Sequence, residues 1–172
     1  MAQKLNSLDD LLVHELQDLY NAESQIVKAL PKMAKSATHR ELQQAFERHL
    51  QQTEGQIDRL EQCFKLLGMA AKGRKCEGMA GIIAEGQKTM EERAAPEVLD
   101  AALIAAAQKV EHYEIAAYGC VATYAELLGY DQVKNLLGQT LNEEEETDRK
   151  LTELAETLIN VEAKQASPEE AS

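Results

Sequence analysis

Six polar residues fall where helical periodicity asks for apolar ones. Glu23 stands four residues after Leu19 and three before Ile26, and His49 stands three after Phe46 and four after Ala45. Glu111 is four after Ala107, and Glu114 shares its face at i+3. Glu144 is three after Leu141, and Asp148 is four after Glu144 and three before Leu151. Ordinary surface acids lie opposite the apolar stripe, whereas these lie on it. Five carboxylates and one imidazole are untenable in a bundle core unless protons or cations neutralise them. Two divalent metal ions would do so. A carboxylate-rich set with few histidines suits iron, with manganese as the other candidate. Protonated, mutually hydrogen-bonded carboxyls in a metal-free core are the physical alternative.

Four long helices must carry these residues. The apolar spacing from Leu8 to Leu30 predicts a helix over about residues 8–35, N-capped by Ser7 and kinked or ended early by Pro31. Thr38 and Glu41 fit a capping box for a second helix, which Gly68 stops. Five of the nine glycines then lie within residues 68–96, a stretch that reads as a connection carrying a short helix over about 78–93. Pro96 suits the first turn of a third long helix ending at Gly129, and Asp131 can cap a fourth. Two tight links and one long one give an all-α, ferritin-like four-helix bundle, with the crossover between the second and third long helices. One domain is expected over residues 1–161, followed by a frayed or disordered tail over 162–172.

Depth along the bundle tests whether the six residues can meet. Counting back from the first turn brings Glu23 to the level of about residue 52, between His49 and Thr53, if rise per residue is equal on both helices. Counting outward from the second turn pairs Glu114 with about residue 145 and Glu111 with about residue 148, the levels of Glu144 and Asp148. All six therefore converge at one depth, roughly 20 Å from the hairpin turns. Thr53 and Gln56 continue the stripe of His49. Asp18 is a candidate hydrogen-bond partner beside the cluster, and Tyr113 or Tyr118 could bond one of its carboxylates. Glu15 pairs in depth with Leu60, away from the cluster. His14, His39 and His112 read as surface or capping residues, and Glu143–Glu146 as mainly a solvated face.

Composition removes other classes of function. The chain has 172 residues and a net charge of −12, so a basic nucleic-acid footprint is missing. Aromatics are 4 % and tryptophan is absent, which disfavours stacking platforms for bases or sugars. No apolar run approaches the roughly 18 residues of a membrane span. The N-terminal residues show no signal segment, and Cys63, Cys76 and Cys120 show no CxxC pairing, so a cytoplasmic protein with reduced thiols is expected. No nucleophilic triad order, P-loop, dinucleotide fingerprint or zinc motif occurs.

The stretches Asp18-Leu-Tyr20-Asn-Ala22-Glu23-Ser-Gln25, His49-Leu-Gln-Gln-Thr53-Glu-Gly-Gln56 and Val110-Glu111-His112-Tyr113-Glu114-Ile115-Ala116 resemble the YciE/YciF-like branch of the ferritin-like superfamily. Cys76-Glu-Gly-Met79-Ala-Gly81 and Thr140-Leu-Asn-Glu143-Glu144 with Thr147-Asp148 match it too, so the resemblance spans about residues 7–160. It implies a bacterial stress-associated cytoplasmic protein, a homodimer, and a dimetal site similar to that of rubrerythrins. Glu23, His49, Glu111, Glu114, Glu144 and Asp148 would hold the ions, and O2 or peroxide would be the oxidant of a ferroxidase or peroxide-scavenging oxidoreductase. One departure stands out: Gln52 occupies a position where the branch often carries an acid, so one ligand is expected to be missing. A metal-free helical stress protein acting through dimerisation or partner contacts is the competing function.

Overall fold

A computed structural model describes residues 4–166 and, among them, contains helices but no strands. The long helices are α1 (Leu8–Ser36), α2 (Arg40–Leu66), α4 (Pro96–Leu127) and α5 (Asp131–Leu154), and α3 (Glu77–Glu91) lies in the crossover. A π-helical turn, Ala155–Ile159, continues α5 into the short α6 (Asn160–Gln165). The helix thus runs past residue 161 into the segment expected as a tail, of which residues 167–172 lie outside those described.

Local chemistry sets most boundaries. Ser7 caps α1 through its hydroxyl, which accepts from the Asp10 amide at 3.1 Å. Gly68 and Gly129 end their helices at φ of 71° and 76°, the left-handed conformation that glycine adopts without a Cβ clash. Three expected details change. Pro31 does not end α1, because Leu30 and Met33 on either side of it are buried and packing outweighs one lost hydrogen bond. The N-cap of α2 is His39 rather than Thr38. Buried Asp100 of α4 takes the Thr38 hydroxyl at 2.6 Å and the Thr38 and His39 amides at 2.8 Å each. The first residue inside α5 is Asp131, with no side-chain cap at its start.

Packing defines the topology. α1 lies against α2 and α4, and α5 lies against the same two, which leaves α2 and α4 on a diagonal. One apolar cluster joins Ile26 and Leu30 of α1, Leu42 and Phe46 of α2, Leu103 of α4 and Leu151 of α5. A second joins Leu12 and Leu16, Leu60 and Phe64, Val121, and Val133 and Leu137. Following each helix from one cluster to the other shows α1 and α5 running one way and α2 and α4 the other. That is the ferritin-like arrangement, and it obliges the chain to cross the length of the bundle between α2 and α4. α3 packs over α1 and α4 along that path.

Candidate metal centre

The two apolar clusters do not meet; a polar layer separates them. Each long helix contributes to it: Glu23 from α1, His49, Thr53 and Gln56 from α2, Glu111 and Glu114 from α4, and Thr140 and Glu144 from α5, all buried. Helical spacing explains the gathering, since these side chains continue stripes that are apolar above and below. His49 Nδ1 lies 3.1 Å from Glu111 Oε1 and its Nε2 lies 3.6 Å from Glu144 Oε2. His49, Glu111, Glu114 and Glu144 each offer one ligand atom within 4.8 Å of all the others.

The oxygens point at one another rather than at donors. Both carboxyl oxygens of Glu111, both of Glu114, Oε2 of Glu23 and Oε2 of Glu144 are buried without a hydrogen-bond partner. Two ionised carboxylates cannot bond each other, so the group needs protons or a cation. Burial pushes Glu23 up to about 8, with the neighbouring Glu144 adding to the rise and the Tyr118 hydroxyl opposing it. Burial, then the charge of Glu144, raises Glu111 well above the ordinary carboxyl range. Burial and Glu23 do the same to Glu114. Burial pushes Glu144 up too, but contacts with His49, Glu111 and Glu114 outweigh it and hold this carboxyl below its usual value. Without a cation, burial and mutual repulsion thus favour the protonated form of Glu23, Glu111 and Glu114, while Glu144 favours the ionised one. Orphaned carboxylate oxygens together with one imidazole make a donor set suited to a metal ion of intermediate hardness, so the residues fit such an ion.

The structure distributes the six expected residues unevenly. Four form the compact set. Glu23 adjoins it and accepts a short hydrogen bond from the buried Tyr118 hydroxyl. Asp148 stands apart: it is 21 % exposed, pairs with His112 Nε2 at 3.2 Å and accepts from Gln108 at 3.2 Å. Its i+4 spacing from Glu144 places it on the right face but at the rim, where α5 turns it toward solvent. Gln52 is half-buried in a groove between α2 and α5, not in the cluster. Gln56 instead reaches Glu144, donating to it and, at 3.1 Å, to Glu143 Oε2. Glu143 is no plain surface acid, since Arg59 grips it and also donates to Thr140 Oγ1 at 3.0 Å. Position was a usable signal for this group: Gln56 and Arg59 are three apart on α2, as Thr140 and Glu143 are on α5. Of the two tyrosines expected to bond a cluster carboxylate, Tyr118 does so, whereas Tyr113 donates to Asp18 Oδ2 at 2.7 Å and lies 3.0 Å from Cys76 Sγ.

Residues 7–164 match the model of a domain of unknown function, DUF892. The chain belongs to that family. The Escherichia coli (strain K12) protein YciF is 47 % identical over 160 residues, 92 % of this chain and 96 % of that protein. The crystal structure of the E. coli stress protein YciF superposes with a TM-score of 0.87, covering 91 % of this chain and 99 % of that one. The Rhodopseudomonas palustris protein YcfI, also 47 % identical, gives 0.86 over 88 % and 97 % of the two chains. A Xanthomonas campestris protein at 23 % identity and TM-score 0.72, covering 92 % of this chain and 99 % of that one, shares the fold. Within DUF892, then, this chain is a relative of YciF whose bundle carries a buried cluster able to hold a metal ion. No helix among the described residues is long and apolar enough to cross a membrane.

Proposed function

We propose that the protein is a di-iron carboxylate protein of the bacterial stress response, acting as a ferroxidase or peroxide-consuming oxidoreductase, with manganese as the second candidate metal. One observation carries this: four residues from three helices converge their ligand atoms within 4.8 Å in a buried layer, and both oxygens of Glu111, both of Glu114 and Oε2 of Glu144 have no hydrogen-bond partner. The E. coli relative YciF is a stress protein, which supports the biological setting. His49, Glu111, Glu114 and Glu144 would hold the ions, with Glu23 as a further carboxylate and Asp148 at the rim. Iron bound by these residues would supply one-electron redox chemistry toward O2 or peroxide.

The chain's own part is positioning and proton handling. Glu23, Glu111 and Glu114 give up protons as cations enter, and Tyr118 holds Glu23 in place through its hydroxyl. Gln56, braced with Arg59 and Glu143, orients Glu144 and keeps that carboxyl from swinging away. The apolar clusters above and below exclude water, which strengthens every charge interaction between them. Protein purified without chelator and loaded anaerobically with Fe(II) is expected to hold iron stoichiometrically and oxidise it on exposure to oxidant. Folded protein that binds neither iron nor manganese overturns the proposal. The homodimer belongs to the same reading, and light scattering at several concentrations tests it.

The self-neutralised, protonated cluster favours one competing function, a metal-free helical protein working through contacts. In that case Glu111→Ala and Glu144→Ala keep function, and chelators leave thermal stability unchanged.

A further inference from the structure

An apolar passage enters the bundle between α1, α3 and α4 and ends on the polar layer. Exposed Lys32 and Gln87 flank its mouth. Ile26, Ile83, Ala107 and Val110 supply its walls, while His49 and Glu111 form its floor. The space within it is about 30 Å³. That is room for roughly two water-sized spheres, hence one diatomic molecule. Along the aliphatic walls water gains little, because a buried water needs two to four polar partners and only the floor offers any. A hydrated cation would have to shed its shell to pass.

The far side of His49 is different in kind. It faces an open groove of about 800 Å³ between α2 and α5, bordered by Arg48, Gln52, Thr147 and Lys150. His49 thus divides a dry approach from a wet one. α3 makes the dry side. Closing a four-helix bundle requires a crossover but not a helix within it, and here that helix roofs the passage with Ile83. Buried Gly86 places α3 against Ala106 of α4.

We propose that this passage is the port through which dioxygen reaches the centre, while ions and protons use the α2–α5 groove. Its purpose rests on the di-iron reading; its occupancy by a small apolar gas does not. Crystals of the metal-free protein pressurised with xenon are expected to show a xenon site at the level of Ala107, absent in Ala107→Val, whose two added carbons fill the space. Ile83→Trp, at a half-buried wall position on α3, narrows the passage from the other side and serves if Ala107→Val does not fold. In iron-loaded protein either variant is expected to slow oxidation by O2 by about tenfold or more. Iron stoichiometry and oxidation by H2O2 stay at the wild-type level. A wild-type crystal without xenon in the passage overturns the proposal, as does equal slowing with both oxidants. If the wild type takes up no iron, the di-iron reading falls, and the xenon experiment still decides the passage on its own.

Discussion

Glu23 reports the state of the cluster through its proton. Burial and the charge of Glu144 raise it to about 8 from an ordinary value of 4.5. Between those values the metal-free fold keeps a proton that the unfolded chain has lost. Stability is therefore greatest below the lower value and falls as pH rises toward the upper one, by at most about 1.4 kcal/mol per pH unit for this group. Glu111 and Glu114 push the same way. Glu23→Gln, which keeps the shape without the ionisation, is expected to flatten this slope in urea midpoints measured from pH 5 to 8 on chelator-treated protein. Metal affinity runs oppositely: cations displace these protons, so binding tightens as pH rises through the same window. A second residue-scale effect lies beside the cluster. A Cβ at Gly78 would meet Tyr113 Cε2 at 2.8 Å. Gly78→Ala must displace the ring that links Asp18 to Cys76, and a loss of about 1–3 kcal/mol in denaturant unfolding is expected.

Among the helices, Asp100 shows how one element holds another's end. Three donors of the α1–α2 turn converge on its carboxylate, so α4 fixes where α1 stops and α2 begins. Removing it leaves the amides of Thr38 and His39 without their partner. Asp100→Ala is expected to destabilise the protein by about 2–4 kcal/mol, with Asp100→Asn losing less because the amide oxygen still accepts. Chemical denaturation of both variants checks the order. Sequence spacing did mark Thr38 and Glu41 as a local capping box, but the donor that Thr38 uses is committed to a residue 62 positions away. Local patterns such as capping boxes are read within one helix, and this partner belongs to another.

For the whole bundle, the centre is a brace. The polar layer splits the core into two apolar clusters, and without a cation its carboxyls contribute little cohesion beyond their own protons. A metal ion held by His49, Glu111, Glu114 and Glu144 would tie α2, α4 and α5 at mid-length. At a hundredfold excess over its dissociation constant it adds about 3 kcal/mol. For a protein of this size each kcal/mol moves the melting temperature by about 2–4 °C, so a rise of about 5–10 °C is expected. Differential scanning calorimetry with Fe(II) or Mn(II), reversed by chelator, measures it; no shift would point to the metal-free alternative.

Periodicity alone determined the four long helices, the place of the crossover and the residues that break the apolar stripes. Helical repeat ties each residue's face to its number, and Gly68 and Gly129 mark helix ends through their own backbone freedom. Even the common depth of Glu23, His49, Glu111, Glu114 and Glu144 follows from counting residues away from two turns. Tertiary structure decided what counting cannot reach. A shift of a few tens of degrees around α5 separates a buried Glu144 from a rim Asp148 that answers to His112, and only the packed neighbours set that angle. Spacing put Gln56 on the buried stripe of His49 and Thr53, but only the packed helices showed that its partner is Glu144. The passage to His49 has no local signature at all, because a void is defined by three helices together and by the atoms that none of them supplies.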